Sequence, residues 1–496
     1  MKKKTIRKNL SKSLFIRGLQ CKKALWLYKH YPELRKEPSE RRQALFEEGI
    51  KIGKTAQKLF PNGIDVSKKA ESIPHKLALT KELIRKGTPI IYEATFQFDQ
   101  ILVMVDILKK SKNGWDLIEV KSSTGVKRSH IHDLGIQYYV LYQSGYPINS
   151  TSICHINTKF ERKKRLVYKK LFNIKDITER IKDRQENIPT ELLKMRHHLP
   201  LNSPPNVKIG PYCFAPYECD FVTKCWKNVP SESIFNLTQL STKEKFKLFH
   251  KGFQDFNHLP NSLELLNTQK IQVKTHLSKS EHIDKPFIKS FLNKLTFPVY
   301  CIDFEAFQTS IPIYPNTRPY EQVPFQFSIH KLNSLKSKPI HYEFLASPDS
   351  DPRLNFIENL VKLLPKKGCF LAYNMSFEKL ILNRLSSVFP SYHSQLNSIC
   401  NQFQDLIIPF QNFAYYHPTM QGSHSLKSVL EAINPSLSYS TLEISNGESA
   451  FRNYLKLKKS KSVLTRKTIS NQLLEYCKLD TLSMIKILEF LYKKSN

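Results

Sequence analysis

The sequence predicts an α/β protein built from two domains, each with its own β-sheet, and three observations support that prediction. At 496 residues the chain is long enough for about two to four domains that each bury a core. Hydrophobic residues make up 40% of the chain and charged residues 24%, which is ordinary globular composition and excludes a disordered or collagen-like chain. Strand-like alternation and helical periodicity follow one another in two separate stretches, near residues 89–156 and 297–385.

The chain carries a large positive charge. Its 77 Lys and Arg against 43 Asp and Glu leave a net charge of +34, spread along the whole length. Neutralising phosphates releases condensed counterions, so a nucleic acid partner is favoured over a lysine-rich but merely solvated surface. No stretch approaches the roughly 18 apolar residues of a membrane span, and Arg17 interrupts the apolar run of the basic N-terminus. We therefore expect a cytoplasmic protein with no membrane partner.

The predicted elements give the domain boundaries. Residues 1–60 are predicted to be mainly helical. A first series then has predicted strands at Pro89–Phe98, Ile101–Leu108, Trp115–Val120 and Thr151–Ile156, and a helix at Ile131–Tyr142. A second series has predicted strands at Phe297–Phe304 and Cys369–Tyr373, and helices at Phe377–Leu385 and Ile469–Tyr492. These series predict a first domain at 1–227, a helical connector at 228–289 and a second domain at 290–496.

The first series of strands carries acidic residues that could hold a metal ion. Asp106 lies on the strand ILVMVDIL, and Glu119 and Lys121 lie on the next strand, DLIEVK. Side chains two apart on a strand face the same side, so Glu119 and Lys121 point the same way, and Asp106 joins them if the strands pair as a hairpin. Two carboxylates can hold a divalent metal through oxygen ligands, while a lysine can position or activate the attacking water. Gln137 lies on the helix that follows.

The pattern of Asp106, Glu119, Lys121 and Gln137 resembles the PD-(D/E)XK nucleases, in particular the RecB-like branch that includes the CRISPR-associated exonucleases. The resemblance implies a restriction-endonuclease-like fold in which Asp106 and Glu119 bind Mg²⁺ or Mn²⁺. It also implies that Lys121 assists catalysis and that Gln137 orients the site. Gln57 stands where that branch usually has a metal-contacting His, and this departure favours reduced metal affinity or activity.

Four of the nine cysteines form a pattern of their own. Without a signal peptide, nine cysteines do not indicate a disulfide framework. Cys213, Cys219 and Cys225 are evenly spaced after the first series of elements, and Cys21 precedes it. This arrangement is similar to that of CRISPR-associated and AddB-like members of the same branch, which implies that the four cysteines bind one [4Fe–4S] cluster. A structural zinc, which favours tighter Cys-x₂₋₄-Cys pairs, and unligated thiols are the alternatives.

A second set of acids lies in the second series. Asp303 and Glu305 occupy positions i and i+2 at the end of an apolar strand, YCIDFEAF, so both carboxylates face one way. Glu378 lies on the helix after the strand FLAY, and Tyr476 and Asp480 are one helical turn apart in LLEYCKLDTLSM. Four acids from three elements could hold two metal ions, which activate water and stabilise the leaving oxygen in phosphodiester hydrolysis.

These residues resemble the DEDD exonucleases of the RNase H-like fold. The resemblance implies that Asp303 and Glu305 form the first metal-binding motif and that Glu378, in place of the usual Asp, forms the second. Asp480 then belongs to the third motif, in which Tyr476 positions the attacking water. The whole C-terminal half also looks like the bacterial family DUF2779, whose members often carry a RecB-like nuclease domain in front.

Two acid clusters in one strongly basic chain predict a metal-dependent nuclease that hydrolyses nucleic acid phosphodiester bonds. DNA is the favoured substrate, in repair or in defence against foreign DNA, and a 3′–5′ exonuclease is one form that this activity could take. A nucleic-acid clamp with one or both sites inactive is an alternative, supported by Gln57 and Glu378, and an RNA-processing exonuclease is another. The chain has no Gly-x-x-x-x-Gly-Lys-Ser/Thr loop, so a helicase or repair partner would supply any motor.

Overall fold

The computed structural model describes residues 9–260 and 262–496, which divide into two compact units. The first unit contains the chain up to Asn228 and the short segment Thr309–Tyr320. The second unit contains Val229–Gln308 and Glu321–Asn496, and therefore includes most of the stretch 228–289 that the sequence predicted as a connector. Among the described residues, no helix is both long enough and apolar enough to cross a membrane.

The first unit is a mixed α/β structure. Its strands are β1 (Leu10–Ser11), β2 (Ile64–Asp65), β3 (Ile90–Phe98), β4 (Ile101–Ser111), β5 (Gly114–Lys121), β6 (Ile148–Ile156) and β7 (Phe172–Asp176). Its helices are α1 (Lys12–Gln20), α2 (Lys22–His30), α3 (Glu40–Ala56), α4 (Val66–Lys69), α5 (Ile73–Arg85), α6 (Arg128–Gln143), α7 (Tyr168–Leu171), α8 (Thr178–Lys182), α9 (Asn187–His198) and α10 (Val222–Cys225). The strands and the helix predicted between residues 89 and 156 are confirmed, with ends that differ by at most three residues.

The sheet of the first unit brings β5 next to α6. Its strands lie in the order β2-β3-β4-β5-β6-β7, and β1 pairs with the start of β4. Strands β3, β4 and β5 are antiparallel neighbours, whereas β6 is parallel to β5. A parallel pair needs a crossover connection, which α6 supplies while its apolar side packs on the sheet through residues such as Leu134 and Val140. Helix α1, capped by Ser11, packs against α6.

The second unit contains the remaining elements. Its strands are β8 (His282–Ile283), β9 (Val299–Phe307), β10 (Val323–Leu332), β11 (Ile340–Leu345), β12 (Cys369–Ala372), β13 (Phe403–Asp405) and β14 (Tyr415–Tyr416). Its helices are α11 (Thr242–His250), α12 (Asn267–Ser278), α13 (Lys285–Leu292), α14 (Arg353–Leu363), α15 (Ser376–Val388), α16 (His393–Asn401), α17 (Ile408–Gln411), α18 (Leu426–Ile433), α19 (Gly447–Lys459) and α20 (Val463–Ser495).

Strand β9 lies at the centre of the second sheet, whose order is β11-β10-β9-β12-β13. It runs antiparallel to β10 and parallel to β12. Both faces of β9 are buried, which explains its nearly continuous apolar sequence. Val299 and Cys301 pack into the core that contains α20 residues, whereas Tyr300, Ile302 and Phe304 pack into the core on the other face. The odd-numbered side chains of β9 therefore face α20.

The sequence placed Asp303 and Glu305 at the end of a strand, and in this detail it was wrong. Strand β9 continues to Phe307, so both acids lie within the strand, on the face turned towards α20. The predicted C-terminal helix is confirmed and is longer than expected, because it begins after the capping residue Ser462. The acids of β9 are therefore covered by a helix.

Candidate functional site

Glu119 is the centre of the candidate site in the first unit. It lies near the end of β5 and is 2% exposed. Its Oε1 accepts hydrogen bonds from the Nζ atoms of Lys12 at 2.7 Å and Lys121 at 2.8 Å. Its Oε2 accepts a hydrogen bond from Nε2 of Gln137 at 2.7 Å. Both carboxylate oxygens of Glu119 are therefore already hydrogen-bonded to donors of the protein.

Asp106 lies on β4 beside Glu119. Its Oδ2 accepts a hydrogen bond of 2.7 Å from the backbone N–H of Val120. Burial, followed by the charge of Glu119, raises the pKa of Asp106 to about 7. Burial acts on Glu119 in the same direction, but Lys12 and Lys121 outweigh it and hold the pKa of Glu119 well below its usual range. The charge of Glu119 is thus compensated by lysines of the protein itself.

The four residues predicted for this site, Asp106, Glu119, Lys121 and Gln137, lie together. Sequence reasoning missed two further charged members, Lys12 and Asp133, the second of which forms an ion pair with Lys121. Asp133 lies one helical turn before Gln137 on α6, and this i, i+4 spacing puts both side chains on the same face of the helix, from which Asp133 could have been predicted. Lys12 gave no local signal, because its partner Glu119 is 107 positions away.

The four cysteines Cys21, Cys213, Cys219 and Cys225 line one pocket in the first unit. Cys21 caps the C-terminal end of α1, and Cys225 is the last residue of α10. Burial, together with the other three thiols, raises the pKa of the Cys219 thiol to about 11. Burial also raises the pKa of Cys225, against the opposing charges of Lys23 and Lys224.

The loop that carries these cysteines is fixed to the first helices by Asp220. Asp220 is 3% exposed and its carboxylate forms ion pairs with Arg17 at 2.7 Å and with Arg42. Although burial opposes it, these arginines lower the pKa of Asp220. Helix α1 thus carries Lys12 of the Glu119 site at its start, while its end carries Arg17 and leads into Cys21 of the pocket.

Three acids of the second unit converge between β9 and α20. One carboxylate oxygen from each of Asp303, Glu305 and Asp480 lies within 4.8 Å of the other two. Glu305 and Asp480 are buried and Asp303 is partly buried. Burial and mutual repulsion raise the pKa values of Asp303 and Glu305 well above their ordinary values, and burial raises that of Asp480 to about 6. We call Asp303, Glu305 and Asp480 the acid triad.

Tyrosine and cysteine side chains contact the acid triad. The hydroxyl of Tyr439 donates a hydrogen bond of 2.6 Å to Oδ1 of Asp480. The ring of Tyr476 lies beside that of Tyr439, with 6.2 Å between the ring centres. The thiol of Cys477 donates to Oδ2 of Asp303 at 3.4 Å. These neutral donors orient the carboxylates without cancelling their charge.

Glu378 lies near the acid triad but is not one of its three members. It begins the first turn of α15, is 3% exposed, and its Oε2 has no hydrogen-bond partner among the described residues. Burial raises the pKa of Glu378 to about 8. Asp405, by contrast, accepts hydrogen bonds from the backbone N–H groups of Asn374, Met375 and Ile407, and its role is structural.

The structure adds Tyr439 and Lys427 to the residues that the sequence predicted for the second unit. Ser425 caps α18, and Lys427 lies in its first turn. Burial lowers the pKa of Lys427, against the combined effect of Asp480, Glu305 and Asp303. Neither residue belongs to the motifs quoted from the sequence, and only the fold brings them next to the acid triad.

We expect the metal-free second unit to lose stability as the pH rises from about 4 to about 8. The pKa values of Asp480 and Glu378 are raised to about 6 and about 8, so the folded unit binds protons more tightly than the unfolded chain does. The contribution of these two acids to stability is then complete below their pKa values in the unfolded chain. It is lost as the pH rises through their pKa values in the folded unit. Calorimetric unfolding in EDTA at a series of pH values measures this, and a transition of the second unit that rises with pH would contradict it.

One comparison with known proteins supports the similarity of the C-terminal half to the family DUF2779. A family model described as "Domain of unknown function (DUF2779)" matches residues 300–425, which contain Asp303, Glu305 and Glu378. The chain is also 26% identical over 223 residues to "Uncharacterized protein MG366" of Mycoplasma genitalium, a match that covers 41% of this chain. The chain spans about a third of that relative's length, 33%. Neither description names an activity.

Proposed function

We propose that the protein is a metal-dependent nuclease in which the acid triad of the second unit binds a divalent cation and hydrolyses phosphodiester bonds. One observation carries the proposal: three acids from a central strand and a long helix hold their oxygens within 4.8 Å of one another without an ion-paired cation in the described part of the chain. Clustering buried carboxylates is costly unless a cation or protons neutralise them. The donor set is all oxygen, which suits Mg²⁺ or Mn²⁺.

The free oxygen of Glu378 supports this fit. A buried acceptor without a partner is costly, and Oε2 of Glu378 is such an atom among the described residues. Glu378 could therefore complete the ligand set beside Asp303. A divalent ion bound here would act as a Lewis acid and lower the pKa of a bound water. The chain itself would hold the ion through the acid triad and keep Asp480 oriented through the hydroxyl of Tyr439.

The proposed folds follow the same reasoning. For the second unit we propose an RNase H-like fold, supported by a mixed sheet that presents two acids on its central strand and receives the third from a C-terminal helix. For the first unit we propose a PD-(D/E)XK-like fold, supported by the convergence of Asp106, Glu119, Lys121 and Gln137. The net charge of +34 favours a nucleic acid substrate for the whole chain.

A second candidate function applies to the first unit alone. Oε1 of Glu119 accepts hydrogen bonds from Lys12 and Lys121 and Oε2 accepts one from Gln137, so only one acceptor site of Oε2 is left for a metal ion and two lysines already compensate the charge. This observation favours a first unit that binds nucleic acid as a clamp while the second unit cleaves it. A metal ion that displaces Lys12 would instead make the first unit a second nuclease centre.

Cleavage of end-labelled nucleic acids tests the proposal. Single-stranded DNA, double-stranded DNA and RNA are incubated with the full chain in Mn²⁺, Mg²⁺, Ca²⁺ or EDTA, with Asp303→Asn, Glu119→Gln and the double variant in parallel. We expect Mn²⁺- or Mg²⁺-dependent cleavage that Asp303→Asn abolishes. Cleavage that survives in the double variant identifies a contaminant, and binding without cleavage under every condition rejects the nuclease in favour of the clamp.

For the four cysteines we propose a [4Fe–4S] cluster, with zinc as the alternative. Tetrahedral zinc with bonds of about 2.3 Å requires sulfur atoms roughly 3.8 Å apart. Among the described residues no three of these thiols lie mutually within 4.8 Å, and this wider spacing favours the cluster over zinc. A cluster bound here would take the four thiolates as its ligands and would hold α1 to the loop that ends at α10.

Replacing Cys219 by Ser is expected to remove the iron and to lower the melting temperature of the first unit. Cys154→Ala is the matched control, because Cys154 is a buried thiol of β6 that does not line the pocket. Iron content and visible absorbance measure the cluster. The melting temperature follows from tryptophan fluorescence, since Trp26, Trp115 and Trp226 all lie in the first unit. Iron lost equally from both variants, or from neither, would contradict the assignment.

A further inference from the structure

Lys427 is held beside the acid triad by two aromatic rings. Its Nζ lies 4.5 Å from the ring centre of Tyr439 and 5.2 Å from that of Tyr476. It donates a hydrogen bond to the backbone carbonyl of Ser445, just before α19. The hydroxyl of Tyr439 also donates a hydrogen bond to Asp480, so one side chain contacts both the ammonium group and a carboxylate of the acid triad. Cation–π contacts of this kind hold a cation in place without an acidic partner.

The ammonium of Lys427 is near the acids but not in contact with them. Within the described ranges it forms no ion pair with a carboxylate at the usual limit of 4.0 Å. Its charge is nevertheless close enough to act on Asp480, Glu305 and Asp303. An ammonium has three donors, and the carbonyl of Ser445 takes one of them. The ammonium of Lys427 therefore lies beyond ion-pair distance of the acid triad, and two of its three donors have no hydrogen-bond partner among the described residues.

We propose that Lys427 contacts the phosphate group of the substrate at the acid triad. The inference rests on the proposed function and deepens it by naming the residue that meets the substrate's own charge. A divalent ion offsets the charge of the acids, but the phosphodiester brings a negative charge and develops more as it is attacked. A preorganised cation on the opposite side of the phosphate stabilises that charge without having to be reoriented.

A simpler role for Lys427 would be that of a counter-ion for the acids. The two roles differ in what removal of the charge does. If Lys427 is a counter-ion, removing its charge makes the acids repel one another more strongly. The metal-free unit is then destabilised, while metal binding is unchanged or tighter. If Lys427 contacts the phosphate, removing its charge weakens substrate binding and cleavage, although the metal still binds.

The test compares Lys427→Met and Lys427→Arg with the matched control Lys458→Met in the full chain. Lys458 also lies over a tyrosine ring, that of Tyr454 at 5.9 Å, and donates to a backbone carbonyl, but the acids that act on it are Asp349 and Asp351. Binding of a fluorescein-labelled single-stranded DNA oligonucleotide is measured in Ca²⁺ over a range of salt. Mn²⁺ affinity and single-turnover cleavage are measured in parallel.

For Lys427→Met we expect cleavage to fall by about 100-fold while Mn²⁺ binds as in the wild type or tighter. Oligonucleotide binding should weaken by at least about threefold, and the slope of log affinity against log salt should decrease by about one. Lys427→Arg, which keeps the charge, should recover most of the cleavage, and Lys458→Met should behave as the wild type.

Two results would overturn the proposal. One is a Lys427→Met variant whose oligonucleotide affinity and salt slope equal those of the wild type. The other is a loss of cleavage that Lys458→Met shares. A wild-type protein that binds the oligonucleotide but neither binds Mn²⁺ nor cleaves would reject the proposed function instead, and the salt slopes would still decide whether Lys427 meets a phosphate.

Discussion

Replacing Asp303 by Asn is expected to stabilise the metal-free second unit and to abolish its hydrolytic activity. Burial and the charges of Asp480, Glu305 and Glu378 raise the pKa of Asp303, so the ionised group opposes folding at neutral pH. Removing the charge should therefore raise the melting temperature, by roughly 2–4 °C for each kcal/mol gained. Cleavage should fall by at least about 1000-fold, because a ligand of the proposed metal ion is lost.

Amide hydrogen exchange of peptides from β9 and α20 measures this stability in EDTA, since the second unit contains no tryptophan. Asp405→Asn is the matched control, a second acid of the same sheet whose carboxylate accepts backbone N–H groups. That variant should be destabilised, because an amide cannot replace both acceptor oxygens. Asp303 would be a structural acid if Asp303→Asn were destabilised in the same way.

Replacing Glu119 by Gln is expected to have the opposite effect on stability in the first unit. Glu119 separates Lys12 and Lys121, whose side chains are 23% and 22% exposed. Its removal leaves Lys12 without an ion-pair partner among the described residues, while Lys121 keeps its ion pair with Asp133. Breaking a buried ion pair costs about 3–5 kcal/mol. The partial exposure of the lysines places the expected cost at the lower end, about 3 kcal/mol.

Urea unfolding followed by tryptophan fluorescence measures this loss, because the three tryptophans report on the first unit. Glu82→Gln is the control, since Glu82 pairs with Lys86 on the exposed surface of α5 and its loss should leave the midpoint unchanged. A Glu119→Gln variant as stable as the wild type would mean that Lys12 and Lys121 do not depend on Glu119.

The contrast between the two sites could not be read from the sequence. Alternation of apolar and polar residues predicted the strands that carry Asp106, Glu119 and Asp303, because side-chain periodicity is local. The lysines whose charges act on these acids lie far from them in the sequence. Lys12 reaches Glu119 across 107 positions, and Lys427 reaches the acid triad from α18. Such long-range pairings depend on how helices pack on a sheet, which a single sequence does not state.

The domain boundaries also could not be predicted from the sequence. The segment Thr309–Tyr320 follows directly after β9 of the second unit, yet it belongs to the first. Within the first unit, its residue Ser310 donates a hydrogen bond to Glu48 of α3, and Tyr320 donates one to the backbone carbonyl of Ser122. Composition and periodicity gave no sign of this assignment, because the segment's partners lie far away in the sequence.

Titration of Mn²⁺ into the full chain at neutral pH tests whether the acid triad of the second unit binds a divalent cation. We expect wild-type protein and Glu119→Gln to share a binding event that Asp303→Asn lacks. Asp405→Asn, compared at a temperature where it is folded, should retain that event. Equal Mn²⁺ binding by the wild type and Asp303→Asn, or no binding by either, would show that the acid triad does not bind the ion.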